Sequence, residues 1–262
     1  MGIIERKERE KEARRSLILD AAEQVFQKKG IGLSTMDDIA QEAELAKGTI
    51  YLYYRNKDEL QLGVMLRAMD IVHQSFAEAA EKENLALKKF QAVGEAYWKF
   101  SIDEPFRFRL ICNGDFPLRE NISEEMILEL NNRSNWVWQL LIGIIEEGKR
   151  EGTIKPEVES FSLSMLAWLN TMSILRLYQK VQENTAKGAA IIAKQAFNIC
   201  AMDFQKVYEL SITTLLSHAV TEEGAKFLAP VRFPSMEELG VSPAPVQSEV
   251  KPEQENIESI LA

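Results

Sequence analysis

Residues 34–60 of the chain read STMDDIAQEAELAKGTIYLYYRNKDEL. Thr35 followed by Asp38 is the pattern of a helix N-cap with an acidic third residue, so we expect a helix to begin at Met36. A turn of three residues then leads into a second helix that begins at Lys47. Two helices joined by so short a turn have the dimensions of a helix-turn-helix.

The second of these helices has two faces of different chemistry. At 100° per residue, Ile50 and Tyr54 point into a core shared with the helix before the motif, around Ile18 and Ala22. The opposite face is small and able to form hydrogen bonds, as a helix that enters the major groove of DNA requires. Hydroxyl and ammonium groups on its flanks and on the next helix suit phosphate oxygens. The predicted DNA-contacting residues are Thr35, Lys47, Gly48, Thr49, Tyr51, Leu52, Tyr53 and Lys57.

In this region the chain resembles the TetR family of transcriptional regulators. The resemblance covers about residues 12–65 and rests on a pattern of threonine, alanine, glycine and tyrosine positions in one register. It implies an all-α fold, an N-terminal helix-turn-helix, and a larger C-terminal helical domain for ligand binding and dimerisation. The residues that carry it are Thr35, Ile39, Ala40, Ala43, Gly48, Thr49, Tyr51, Tyr53, Lys57 and Leu60.

Three residues depart from the family pattern. Glu44 stands at the turn position where glycine is usual, and a positive φ there would cost about 1 kcal/mol. Ala46 replaces a capping Ser or Thr, which removes about 1 kcal/mol of cap. Tyr54 replaces phenylalanine, so its hydroxyl needs a partner or a route to solvent.

Composition and charge set broad limits. The 262 residues carry a net charge of −9, yet residues 45–57 hold three basic side chains and no acidic one. An acidic body with a locally basic end can orient a protein on DNA. The charged start, residues 5–15, is interpreted as a solvated extension of the first helix; the alternative is that Arg6, Lys7 or Arg14 contacts phosphate.

Helical periodicity runs through most of the chain, and five of its eight prolines lie after residue 229. This predicts nine helices, at about 5–29, 36–43, 47–54, 57–83, 86–102, 105–112, 122–151, 157–182 and 187–219. The predicted domains are a helix-turn-helix domain (1–56), a connecting helix (57–83), a helical ligand-binding and dimerisation domain (84–228) and a proline-rich, disordered tail (229–262). The alternative for the tail is an arm that folds back through Phe233, Met236 and Leu239.

The two last long helices are apolar on more than one face, which favours packing on a second copy of the chain. A two-fold dimer would place two recognition helices about 34–36 Å apart on a near-palindromic operator. The resemblance implies a repressor released by a small, largely apolar ligand; a ligand-responsive activator is the alternative. Asn113, Asn170 or Arg176 would orient the ligand. The predicted pocket residues are Trp98, Phe108, Trp138, Met165, Trp168 and Met172, although each could equally be core.

Other classes of protein receive less support. Enzyme motifs such as a phosphate-binding glycine loop, a nucleophile elbow or a metal-spaced cluster are absent from the sequence, so we expect no catalysis, cofactor or metal. His73, His218, Cys112 and Cys200 are interpreted as structural. No apolar run reaches the length of a membrane span and the start lacks a secretory h-region, so a cytoplasmic protein without a membrane partner is expected. A non-specific, nucleoid-type DNA binder is disfavoured by the modest local charge.

Overall fold

A computed structural model describes residues 3–112, 121–186 and 202–228 of the chain. Within these ranges the backbone forms ten α-helices, and a single β-bridge joins Ile154 to Val220. None of the helices in the described ranges is long and apolar enough to cross a membrane. The helices are α1 (Ile3–Lys29), α2 (Met36–Glu42), α3 (Lys47–Tyr51), α4 (Lys57–Glu81), α5 (Ala86–Asp103), α6 (Pro105–Cys112), α7 (Glu124–Arg150), α8 (Ser160–Ala186), α9 (Phe204–Ala219) and α10 (Glu222–Ala225).

Helices α1, α2 and α3 form an N-terminal unit around one apolar core. Ile18 and Ala22 of α1, Ile39 of α2 and Ile50 of α3 are fully buried in it. Before this core, residues 5–14 of α1 are all exposed, so they form the solvated extension that their charge predicts. Burial of β-branched and small side chains, rather than helix propensity, therefore stabilises the short helices α2 and α3.

Helix α4 connects this unit to the rest of the molecule. Leu60 and Leu62, near its start, are buried in the N-terminal core. Val72 and Phe76, three turns later, belong to a second apolar core formed with α5–α9. A single continuous helix thus contributes side chains to both cores.

The second core is aromatic and tightly organised. Trp98 of α5 and Tyr208 of α9 are almost completely buried and stack with their ring centroids 5.4 Å apart. The start of α5 lacks a capping side chain at Leu85; instead the Glu151 carboxylate accepts from the Ala86 N–H at 3.1 Å. This bond ties α5 to the end of α7 and satisfies one of the open donors of the helix start.

The all-α fold class predicted from the sequence is confirmed, with corrections to individual helices. The recognition helix ends at Tyr51 rather than at residue 54, because Leu52 and Tyr53 donate to carbonyls three residues back and so tighten the chain into a turn before α4. The count of nine helices was wrong, because it missed the four-residue α10. In the predicted helix 187–219, residues 187–201 lie outside the described residues, as does the predicted tail 229–262.

Candidate functional site

The turn of the helix-turn-helix has the geometry that its unusual residues imply. Thr35 caps α2 in a reciprocal box: its Oγ1 accepts from the Asp38 N–H at 3.1 Å, and the Asp38 carboxylate accepts from the Thr35 N–H at 3.0 Å. Glu44 has φ of 53°, the single positive value among the described non-glycine residues. Ala46 is the N-cap of α3 and offers no side-chain bond. Both expected local costs are therefore present.

The outward face of α3 is open. Ile50 and Tyr54 are 0% and 1% exposed, as predicted, whereas Leu52 is 83% exposed. A Cβ added to Gly48 would meet no atom within 4 Å, so this position borders free space. Thr49 lies half-buried between these faces. The small outward surface is accessible to a partner as large as a DNA groove.

Tyr51 and Tyr53 flank this surface unequally. Tyr51 is 43% exposed, whereas Tyr53 is half-buried against the core of the N-terminal unit. The hydroxyl of the buried Tyr54 accepts a hydrogen bond from Arg15 Nε at 3.2 Å, which supplies the partner that its burial requires. Arg15 also ties the extension of α1 to the end of the motif.

Lys47, at the start of α3, is already paired. Its ammonium lies 2.8 Å from the Asp37 carboxylate, and this hydrogen bond raises the pKa of Lys47. Both side chains are at least half exposed, so the pair is weak and exchanges readily for another anion. A phosphate that approached α3 could take the place of Asp37.

Lys57 has a different environment from the one its position suggests. Its ammonium donates to the carbonyl oxygens of Ile31, Gly32 and Ser34, at 2.8, 3.4 and 3.0 Å. All three protons are used inside the protein, where they hold the loop between α1 and α2 against α4. Sequence spacing could not reveal this, because the three carbonyls converge only in the folded loop.

The start of α7 docks onto the start of α4. The Asn56 side chain caps α4 by accepting from the Glu59 N–H at 2.9 Å, and it donates to the Asn121 carbonyl at 2.8 Å. The buried Glu59 carboxylate accepts from the Arg55 N–H at 2.8 Å and the Ser123 N–H at 3.1 Å. Burial alone would raise the pKa of Glu59, but these hydrogen bonds and the Arg55 guanidinium lower it.

Two apolar side chains strengthen this docking. Ile122 and Met126 are 8% and 7% exposed and belong to the core of the N-terminal unit, not to the second core. We call residues 121–126 the α7 foot. The foot is continuous with the rest of α7, so the C-terminal helices hold the N-terminal unit at a second place besides α4.

A charged cluster forms a third connection. The Glu23 carboxylate of α1 is 8% exposed and accepts from Arg67 of α4 at 2.6 Å and from Arg107 of α6 at 2.8 Å. Each arginine has a second carboxylate, at Asp20 and Glu104 respectively. We call these five residues the Glu23 cluster. It joins α1, α4 and α6 through a buried charge that is fully paired.

The C-terminal helices enclose a cavity of about 770 Å³, a size in the range of small-molecule sites. Its wall includes successive turns of α4, so the helix that starts at the helix-turn-helix also forms the cavity. Most of the wall is apolar. The lining residues are Met65, Met69, Val72, His73, Phe76, Phe90, Val93, Gly94, Tyr97, Ile111, Cys112, Leu130, Ser134, Val137, Trp138, Leu141, Ala167, Trp168, Leu169, Thr171, Met172, Ser173, Arg176, Tyr208 and Ile212.

Few polar groups reach this cavity. Burial raises the pKa of the Cys112 thiol to about 12, opposed by the Tyr97 hydroxyl at 3.2 Å and by the Arg176 guanidinium. His73 stacks on Trp136, and its Nε2 is buried with no hydrogen-bond partner. Burial lowers the pKa of His73, and Arg133 adds to this while Asp70 opposes it. His73 is therefore uncharged at neutral pH.

The predicted pocket residues divide into two groups. Trp138, Trp168 and Met172 line the cavity. Trp98 and Phe108 are instead fully buried in the aromatic core behind it, and Met165 lies elsewhere on α8. Of the predicted orienting groups, Arg176 lines the cavity, Asn170 lines a separate groove between α8 and α9, and Asn113 lies outside the described residues.

Sequence reasoning missed the α4 side of this wall. Met65, Met69, Val72 and Phe76 recur at spacings of three and four, which is a plain amphipathic signal. Without a tertiary structure this pattern predicts only that the residues are buried, since the side chains of a cavity wall and of a packed core follow the same sequence pattern.

Comparison with known proteins agrees with this architecture. Residues 18–64 match the sequence profile of bacterial regulatory proteins of the tetR family. The chain is 34% identical over 82 residues to the HTH-type transcriptional regulator TtgR of Pseudomonas putida, a match that spans only 39% of that protein's length. It is 30% identical over 145 residues to the fatty acid metabolism regulator protein of Bacillus subtilis, covering 53% of this chain and 69% of that protein.

A solved structure extends the likeness to the fold of both halves. The Bacillus subtilis regulator FadR in complex with stearoyl-CoA superposes with a TM-score of 0.56 at 19% identity, over 77% of this chain and 97% of that one. At that identity the likeness shows the fold alone. Together with the longer sequence match and the helix-turn-helix, it leads to one conclusion: the chain belongs to the TetR family of bacterial transcriptional regulators.

Proposed function

We propose that the protein is a dimeric repressor that leaves a near-palindromic operator when a small, largely apolar ligand enters the cavity of its C-terminal helices. The observation that carries this proposal is the course of α4. Its first turn abuts the helix-turn-helix, and its middle turns, from Met65 to Phe76, form the cavity wall. A ligand that displaces this wall must also move the helix-turn-helix.

The DNA-reading role falls to the outward face of α3. Thr49 and the open position at Gly48 meet base edges, where a hydroxyl or methyl group can distinguish bases. Lys47 and Tyr51 reach phosphate oxygens on either side, with Lys47 exchanging Asp37 for phosphate. Thr35, Leu52 and Tyr53 complete the contact surface. Lys57 acts indirectly, by holding the loop before α2.

The dimer forms through α8 and α9. Both helices expose large apolar side chains that a monomer would leave in water; Leu210 is 67% exposed and Leu166 is 51% exposed. Apolar area of this kind is stabilised by a second copy. We call this surface the α8–α9 face. Its exposed apolar residues are Phe161, Leu166, Leu169, Leu177, Val207 and Leu210.

The effector site is the 770 Å³ cavity, with Trp138, Trp168 and Met172 among its walls. A ligand with a long apolar part accords with the names of two similar proteins, a regulator of fatty acid metabolism and a FadR solved in complex with stearoyl-CoA. We propose that the operator-bound protein represses transcription; the alternative is that it activates transcription through the same contacts.

Three connections carry the signal from cavity to DNA. They are α4 itself, the Glu23 cluster through α6, and the α7 foot, which begins the helix that contributes Leu130, Ser134 and Val137 to the cavity. A coupling of about 1–3 kcal/mol would weaken operator binding roughly 5–150-fold.

Selection of bound fragments from random DNA by the purified full-length protein tests the DNA-reading proposal. A palindrome with half-sites one helical turn apart is expected, and Thr49→Ala should lose the preference at particular bases. Enrichment of no sequence, or of a single asymmetric half-site, would contradict it. Transcription from a promoter that carries the selected site then distinguishes repressor from activator. A fall in transcription when protein is added supports repression, and a rise supports activation.

A further inference from the structure

A charged side chain borders the cavity, and an apolar ligand alone would leave it without a partner. Arg176 is the one lining residue that is ionic at neutral pH, since the wall contains no Asp, Glu or Lys and His73 is neutral. No ion pair joins Arg176 to any residue in the described ranges. The positions three and four residues away on α8 hold Met, Ser, Gln and Lys, so no acid lies within one helical turn of Arg176 on its own helix.

Arg176 stands at the edge of the cavity rather than inside it. Its side chain is exposed, yet it is near enough to the buried Cys112 to act on that thiol's pKa. An anion bound to a partly hydrated guanidinium avoids most of the desolvation penalty of a buried ion pair. A guanidinium also binds a planar carboxylate through two parallel hydrogen bonds.

The remaining wall suits the rest of such a ligand. Side chains such as Val72, Phe76 and Phe90 offer an apolar surface on which each buried methylene tightens binding roughly fourfold.

We infer that the effector is an anionic amphiphile, with an apolar body inside the cavity and a carboxylate, or an anion of similar size, bound to Arg176 at its edge. This inference rests on the proposed function of the cavity and adds the chemical class of its ligand. Cationic and neutral apolar compounds of the same length bind less tightly.

A competing role for Arg176 is an ion pair across the dimer. Arg176 lies about two helical turns from Leu169 and next to Leu177, both of which belong to the α8–α9 face. In that role, replacing Arg176 changes dimer dissociation and leaves ligand preference as it was. The two roles therefore differ in a measurable way.

The test compares decanoate, 1-decanol and decyltrimethylammonium as ligands of the full-length protein. Trp138 and Trp168 line the cavity, so quenching of tryptophan fluorescence reports binding without DNA. We expect decanoate to bind on the order of tenfold more tightly than decanol, as one charge-assisted contact at a partly exposed site allows. Arg176→Gln should abolish this preference, and Arg176→Lys should retain part of it.

Lys180→Gln is the matched control, because Lys180 is an exposed cation on α8 that does not line the cavity. It should leave the preference intact. Equal affinity for decanoate and decanol, or a preference that survives Arg176→Gln, overturns the inference while leaving the cavity proposal in place. The inference is also overturned if Arg176→Gln changes only the dissociation of the dimer, measured by sedimentation, and leaves the ligand preference as it was. Failure of all three compounds to bind contradicts the proposed effector cavity itself.

Discussion

Replacing Glu23 by Gln removes one negative charge from the junction of α1, α4 and α6. The carboxylate is 8% exposed and accepts from Arg67 and Arg107, and hydrogen bonds to charged groups contribute about 1.5–3 kcal/mol each. The arginines keep Asp20 and Glu104, whose side chains are 55% and 40% exposed and therefore stabilise weakly. Gln keeps one side-chain oxygen that can still accept from one of the two arginines, so we expect the loss of about one such bond and a fall of about 1.5–3 kcal/mol in the free energy of unfolding.

The same substitution should also weaken the coupling between ligand binding in the cavity and operator binding. The cluster ties the N-terminal unit to α6, which contributes Ile111 and Cys112 to the cavity wall. We expect the factor by which decanoate weakens operator binding to fall about fivefold, which corresponds to about 1 kcal/mol of coupling. The assay is operator binding by fluorescence anisotropy at several decanoate concentrations, beside decanoate binding without DNA.

Glu8→Gln is the control, since Glu8 is an exposed carboxylate on the same helix. It should change neither quantity. If Glu23→Gln lowers stability but leaves the effect of decanoate on operator binding unchanged, the cluster is purely structural. The communication would then pass through α4 and the α7 foot alone.

Further predictions concern single elements. Thr49→Ala should relax base preference at one or two operator positions, at about 1–3 kcal/mol each, as measured by competition with point-mutated operators; an unchanged preference would remove Thr49 from the base-reading set. Lys57→Gln should lower the free energy of unfolding by about 2 kcal/mol, because hydrogen bonds to the loop carbonyls are lost, and should leave the salt dependence of operator binding unchanged. A salt slope lower by about one unit would instead support the phosphate contact predicted from the sequence. Leu210→Glu should give monomers in sedimentation, and persistence of the dimer would exclude the α8–α9 face. The lowered pKa of Glu59 means that its ionised form stabilises the fold fully above its unfolded pKa, about 4.3, and ceases to do so as the pH falls through its lower folded pKa. Glu59→Gln should therefore flatten acid unfolding followed by circular dichroism, and an unaltered profile would contradict this assignment.

Local sequence was sufficient for the helix-turn-helix. Thr35 and Asp38 set the start of α2, and the buried positions of α3 follow from its helical period, because caps and periodicity act within a few residues. Even the positive φ of Glu44 was predictable, because Glu44 stands at the turn position where glycine is usual.

Contacts between residues far apart in the chain could not be predicted from the sequence. The three carbonyls around Lys57 are 23 to 26 residues away in sequence, and Glu23 meets Arg107 across 84 residues. No local pattern encodes which ammonium faces which carbonyl. Likewise Trp98 and Trp168 are equally apolar in sequence, and only the packing decides that Trp168 borders the cavity while Trp98 fills the core.

Under the proposed function, occupancy of the cavity changes the spacing of the two recognition helices in a dimer. A spin label at Gln41→Cys, an exposed position on α2, in a Cys200→Ser background would report that spacing by pulsed electron resonance. We expect one intermolecular distance with operator bound, consistent with recognition helices about 34–36 Å apart, and a shifted distance when decanoate is added. Absence of an intermolecular distance, or one that decanoate leaves unchanged while it binds, would contradict the claim.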